Sequence, residues 1–159
     1  MATIKDMNCA ETTNIEEQTE SIVEHGNEGY AKNIIQLPMG LLGFEDVKNY
    51  ALLGSQEEAP FHWLRMVDDL SLAFLIIPPE IVVDNYEPNI SPEDAASLGL
   101  ENPQDALVLN IVTIHPNGEA TVNLKGPIVL NRHTLVGKQV IPMNSTEYSL
   151  QHPLPMAGC

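Results

Sequence analysis

The amino-acid sequence predicts an all-β fold, a compact antiparallel β-barrel-like domain with one or two short helices. Short apolar runs return about every ten residues from Ser21 onward, with turn residues between them. Stretches with the 3.6-residue periodicity of an amphipathic helix are nearly absent. At 159 residues the chain has the length of one domain, and an apolar fraction of 43% supplies enough Val, Ile and Leu for a core without staples.

Residues 1–20 are rich in Thr, Asn and Glu and lack apolar periodicity, so they are expected to form a disordered acidic tail. Residues 21–154 are expected to make the β domain, and 155–159 a short C-terminal tail. Strands are expected at Ser21–His25, Tyr30–Leu37, Tyr50–Leu53, Phe61–Met66, Leu72–Ile77, Ala106–Ile114, Ala120–Leu124, Pro127–Asn131 and Gly137–Ile141. The clearest turn is His115-Pro116-Asn117-Gly118, where Pro presets φ and Asn-Gly tolerates positive φ; it should join the strands on either side as a hairpin. Pro78-Pro79 must end the LAFLII run, because neither residue can donate to a ladder. Ser91 reads as an N-cap, Pro92 as the first helical residue and Gly99 as the stop of a short helix. A single helical turn is also expected after Gly43, with Phe44 and Val47 covering one end of the barrel.

Charge is the strongest compositional feature, with 22 acidic against 7 basic residues and a formal net charge of -15. Nucleic-acid binding is disfavoured, since phosphates must be neutralised by Lys and Arg. Between Arg65 and Lys125 there is no Lys or Arg, whereas Asp68, Asp69, Glu80, Asp84, Glu87, Glu93, Asp94, Glu101, Asp105 and Glu119 all fall there. Such a one-sign field steers basic partners, although solubility alone also accounts for it. Cys9 and Cys159 sit at opposite ends without ligand spacing, and residues 1–30 lack a basic segment leading into an apolar one. A reducing, cytoplasmic setting without membrane insertion is therefore expected.

Catalytic signatures are missing. The histidines, His25, His62, His115, His133 and His152, have no paired spacing; no G-x-S-x-G elbow occurs; and Gly40 and Gly43 do not form a phosphate cradle. No catalytic residue, metal or cofactor is expected. The pairs Asp68-Asp69 and Glu57-Glu58 keep a carboxylate-based enzyme open as an alternative. In FHWLRMV, period-2 alternation puts Phe61, Trp63 and Arg65 on one face and His62, Leu64 and Met66 on the other, so Trp63 is either core or an exposed anchor.

Five blocks in order, LPMGLLGFEDVKNYALL, PFHWLRMVDDLSLAFLIIPP, ALVLNIVTI, NLKGPIVLN and GKQVIPMNSTEYSLQHPL, resemble the FliW family over about residues 21–154. The resemblance implies a β-barrel-like, non-catalytic cytoplasmic protein with two partners. It would bind flagellin and, when free, bind and antagonise the translational regulator CsrA, relieving repression of flagellin mRNA translation. A dedicated flagellin chaperone without a translational role is the alternative. The residues expected to touch partners are the turn and acidic-connection residues Asp68, Asp69, Asp84, Tyr86 and Glu87. Asn123, Pro127 and Asn131 are expected to shape a strand bend and its turn. Lys125 and Gly126 stand where smaller apolar residues are expected for the family.

Overall fold

The computed structural model describes residues 34–69 and 71–155. The expected tail, the strand Ser21–His25 and the beginning of the Tyr30–Leu37 run lie outside the described residues.

Among the described residues nine strands follow one another: β1 (Ile34–Gln36), β2 (Asn49–Leu53), β3 (His62–Met66), β4 (Ala73–Ile77), β5 (Ala106–Ile114), β6 (Ala120–Val122), β7 (Ile128–Asn131), β8 (Gly137–Gln139) and β9 (His152–Leu154). One helix, α1 (Pro92–Ser97), and 3-10 turns at Pro79–Ile81, Pro103–Asp105 and Ser145–Glu147 complete the described elements. All the ladders are antiparallel, as expected for the class. Strand order is β1-β2-β3-β4-β5-β6-β9, with β7 and β8 branching from β5. Among the described residues the sheet does not close into a barrel by a continuous ladder; one isolated parallel bridge, Gln36 to Val136, links β1 to the residue before β8.

The branch has a local cause. Two residues lie between Leu109 and Val112 on β5, but five lie between their partners Val122 and Ile128. The extra residues form the bend NLKGP. Asn123 holds it, its Oδ1 accepting the backbone N–H groups of Lys125 at 3.0 Å and Gly126 at 2.9 Å. Asn131 closes the next turn by accepting from His133 N at 2.9 Å while its amide donates to Leu98 O at 2.9 Å. These asparagines therefore shape the chain as expected. Gly126 occupies a tight place, where a Cβ would lie 3.2 Å from Gln139 Nε2.

β5 is the spine of the fold because it is buried on both faces. Leu109, with Leu107 and Ile111 beside it, joins a cluster with Ile35, Leu37, Leu41, Tyr50, Leu64, Met66, Ile76, Ile128 and Leu130. On the other face Val112 meets Phe61, Leu75, Ile77, Val122, Leu124 and Leu154. Ala106 and Val108 pack on Leu98, Val129 and Val140. A fully buried side chain of this size contributes roughly 1.5–3 kcal/mol, so these clusters outweigh any surface ion pair.

Local expectations hold with small shifts. The hairpin turn between β5 and β6 closes through Gly118 N to His115 O at 2.9 Å, with Gly118 at φ +88°, where a side chain would be strained. α1 is capped by Ser91, whose Oγ accepts Asp94 N at 3.1 Å, and it stops before Gly99. The helical turn expected after Gly43 is instead a pair of tight turns. Phe44 N donates to Leu41 O and Val47 N to Phe44 O, and Phe44 packs edge-on against Phe74 at 5.1 Å. The strand β9 lies beyond the expected strands; its place at the sheet edge beside β6 tolerates the missing N–H of Pro153.

Candidate interaction surface

The expected partner residues fall into two groups at opposite ends of β4. Asp68 and Asp69 precede the strand, while Asp84, Tyr86 and Glu87 follow it, and five residues of strand span about 17 Å. The two groups do not converge. Asp68 and Asp69 are exposed in the β3–β4 turn. Asp69 Oδ1 accepts from Ser71 Oγ at 2.6 Å and Ser71 N at 3.1 Å, and these hydrogen bonds hold its carboxyl below the ordinary carboxylate range.

Asp84 and Glu87 are exposed, whereas Tyr86 is tied into the fold. It is half-buried, donates its hydroxyl to Leu124 O at 2.6 Å, and meets the Tyr148 ring edge-on at 4.7 Å. Burial pushes its hydroxyl up to about 12. The loop it anchors is clamped again at Glu87, whose N–H donates to Tyr148 Oη at 3.1 Å and whose carbonyl accepts from Asn144 Nδ2 at 3.0 Å. Asn89 N also donates to Asn144 Oδ1, at 2.8 Å. Period-2 alternation explains none of this, because the clamp comes from a segment about 60 residues downstream.

Trp63 packs against the cluster of Phe61, Leu75 and Val112 and is not an exposed anchor. Its indole faces Glu58, which is only 5% exposed and finds no hydrogen-bond partner for either carboxylate oxygen among the described residues. Burial, then the neighbouring charge of Glu57, pushes the Glu58 carboxyl up, and the Trp63 N–H draws it partly back without hydrogen-bonding geometry. Burial likewise pushes His62 down. Among the described residues no group of three or more His, Cys, Asp or Glu is arranged to hold a metal ion, and no helix is long and apolar enough to cross a membrane.

Beside the Tyr86 loop lies a groove of about 480 Å³, lined by Tyr86, Pro88, Ile90, Ala95, Leu100, Glu101, Asn102, Pro103, Ala106 and Val108. Its floor is the face of β5 that also carries the Leu98 cluster. Sequence reading missed it, since Pro88, Ile90, Leu100 and Pro103 stand in connections without periodicity. A second apolar feature is the turn after β1, where Met39 is 64% and Leu42 63% exposed.

Fold and surface together define the class: an all-β domain with a branched antiparallel sheet, an acidic rim and an apolar groove. Comparison with known proteins narrows the class to one family. The family model described as FliW protein matches residues 20–154, so the chain belongs to the FliW family. Proteins named flagellar assembly factor FliW are similar to it. That of Leptospira biflexa is 43% identical over 113 residues, covering 70% of this chain and 74% of its own. That of Clostridium novyi is 32% identical over 145 residues, covering 91% of this chain and 98% of its own. A crystal structure of the flagellar assembly factor FliW superposes with a TM-score of 0.70 at 32% identity, covering 82% of this chain and 89% of that one.

Proposed function

We propose that this protein is a cytoplasmic, non-catalytic flagellar assembly factor that binds flagellin and, when free of it, binds and antagonises the translational regulator CsrA. Membership of the FliW family over residues 20–154 carries this reading. Surface charge supplies the physical support. Asp68, Asp69, Glu80, Asp84, Glu87, Glu93 and Glu101 are exposed, and no Lys or Arg interrupts the sequence from 66 to 124. An RNA-binding regulator must present basic surface to phosphate. An acidic protein docked beside that surface is attracted to it and repels the RNA.

Calorimetric titration with CsrA and separately with flagellin tests the reading. Saturable binding to both, with mutual competition, is expected; binding to flagellin alone leaves a dedicated chaperone, and binding to neither overturns the proposal. Replacing Asp68, Asp69, Asp84 and Glu87 together by Lys should slow CsrA association and flatten its salt dependence, because steering acts on the on-rate and is screened by salt. Unchanged kinetics in that variant would remove the electrostatic part.

A further inference from the structure

We infer that the groove between the Tyr86 loop, α1 and β5 is the docking site for an extended basic segment of a protein partner, one carrying apolar anchor side chains between lysines or arginines. This rests on the protein-binding reading above and gives it a location.

The groove's volume of about 480 Å³ is within the usual range of ligand sites and accommodates apolar side chains. Its walls are mostly apolar: Tyr86, Pro88, Ile90, Leu100, Pro103 and Val108 line it. They are also set in advance. Tyr86 is held by Leu124 O and Tyr148, and the Pro88 segment is clamped on both sides by Tyr148 and Asn144. Walls that need no ordering on binding reduce the entropic cost of association. Glu101, Asn102 and Pro103 are exposed, so the groove opens to solvent as a peptide requires.

Charge selects the occupant. Every lining residue falls within the stretch from 66 to 124 that has no Lys or Arg. Glu101 stands in the wall, with exposed Glu87 and Glu93 beside its lining residues. Two cationic side chains come near from later in the chain: Lys138, whose Nζ lies 2.6 Å from Asp94 Oδ1, and Arg132, whose guanidinium donates to Ala106 O at 3.4 Å on the exposed side of that lining residue. An acidic segment would meet repulsion here, whereas a basic one gains attraction around an apolar anchor.

The test uses the full chain, isotopically labelled for NMR, and a synthetic dodecapeptide of leucines spaced between lysines. A control peptide keeps the lysines and replaces each leucine by serine. The leucine peptide should bind with shift changes concentrated in residues 86–108, and the serine peptide should bind at least about tenfold more weakly, because the anchors carry most of the affinity. Ala95→Trp fills the groove and should weaken the leucine peptide by about tenfold or more. Glu101→Lys, an exposed change that leaves the fold intact, should weaken it and flatten its salt dependence. Shift changes centred on the Met39–Leu42 turn, equal binding of both peptides, or unchanged affinity in a folded Ala95→Trp protein would each overturn the proposal. Titrating the same variants with CsrA and flagellin separates the two ideas. If wild type and Ala95→Trp bind those partners equally, the groove fails and the proposed function stands. If wild type binds neither partner yet holds the leucine peptide in the groove, the groove stands without that function.

Discussion

Replacing Tyr86 by Phe separates a structural from a contact role for the residue at the centre of the acidic loop. The substitution keeps the ring against Tyr148 and removes only the hydroxyl, which donates to Leu124 O at 2.6 Å and accepts from Asn110 Nδ2 at 3.4 Å. Asn110 keeps its bond to Asn123 O at 2.9 Å, so the loss falls mainly on the Leu124 carbonyl. A net hydrogen bond is worth about 1 kcal/mol, and a buried acceptor left without its donor costs about 1–3 kcal/mol. We expect a loss of about 1–2 kcal/mol in urea unfolding at constant m, and a Tm lower by about 5 °C. The alkaline limb gives a second reading. Tyr86 ionises at about 12 in the native state against 10.0 ordinarily, so the unfolded chain releases the proton first as pH rises. The contribution is complete below pH 10 and is lost between about 10 and 12. Two units correspond to at most about 2.7 kcal/mol, which solvent screening at this half-buried site reduces to about 1 kcal/mol. The Phe variant should lose that share of the alkaline limb and keep the share of Tyr50, whose hydroxyl is also pushed up by burial. A variant that unfolds like wild type while binding partners tenfold more weakly would refute the structural assignment.

Other changes test the remaining features. Glu58→Gln should stabilise the protein at pH 7 by about 1 kcal/mol, because burying an unpartnered carboxylate disfavours its charged form. Its folded-state pKa is raised, so wild-type stability falls as pH climbs from 4.5 through the raised value, and a urea series across pH should show that fall vanish in the variant. Asn131→Ala strands Leu98 O, Gly99 O and two turn N–H groups and should cost about 3 kcal/mol; hydrogen exchange in the turn before β8 should accelerate, and a loss under 1 kcal/mol would contradict the network. Gly40→Ala places a Cβ 2.5 Å from Glu45 Cα at φ +67°, so thermal unfolding should report a loss of at least about 2 kcal/mol; a neutral result would mean the turn relaxes freely.

Features that depend on neighbours along the chain are legible in the residues alone. The limits of β5 follow from an apolar run broken only by Asn110 and Thr113, the hairpin after it from Pro-Asn-Gly, and the start of α1 from Ser91-Pro92. Family membership was legible too, because five blocks keep their order. Tertiary structure decided whatever depends on distant segments meeting. Tyr86 reads as a loop residue expected to touch a partner until Leu124 and Tyr148 close on it, and Glu58 reads as one of a pair of adjacent acids until the connection before β3 folds it against Trp63. The groove exists only because the loop after β4, the helix and the first half of β5 are brought side by side. Periodicity reports which face of an element is apolar; only the packed chain decides what covers that face, and where it stays open.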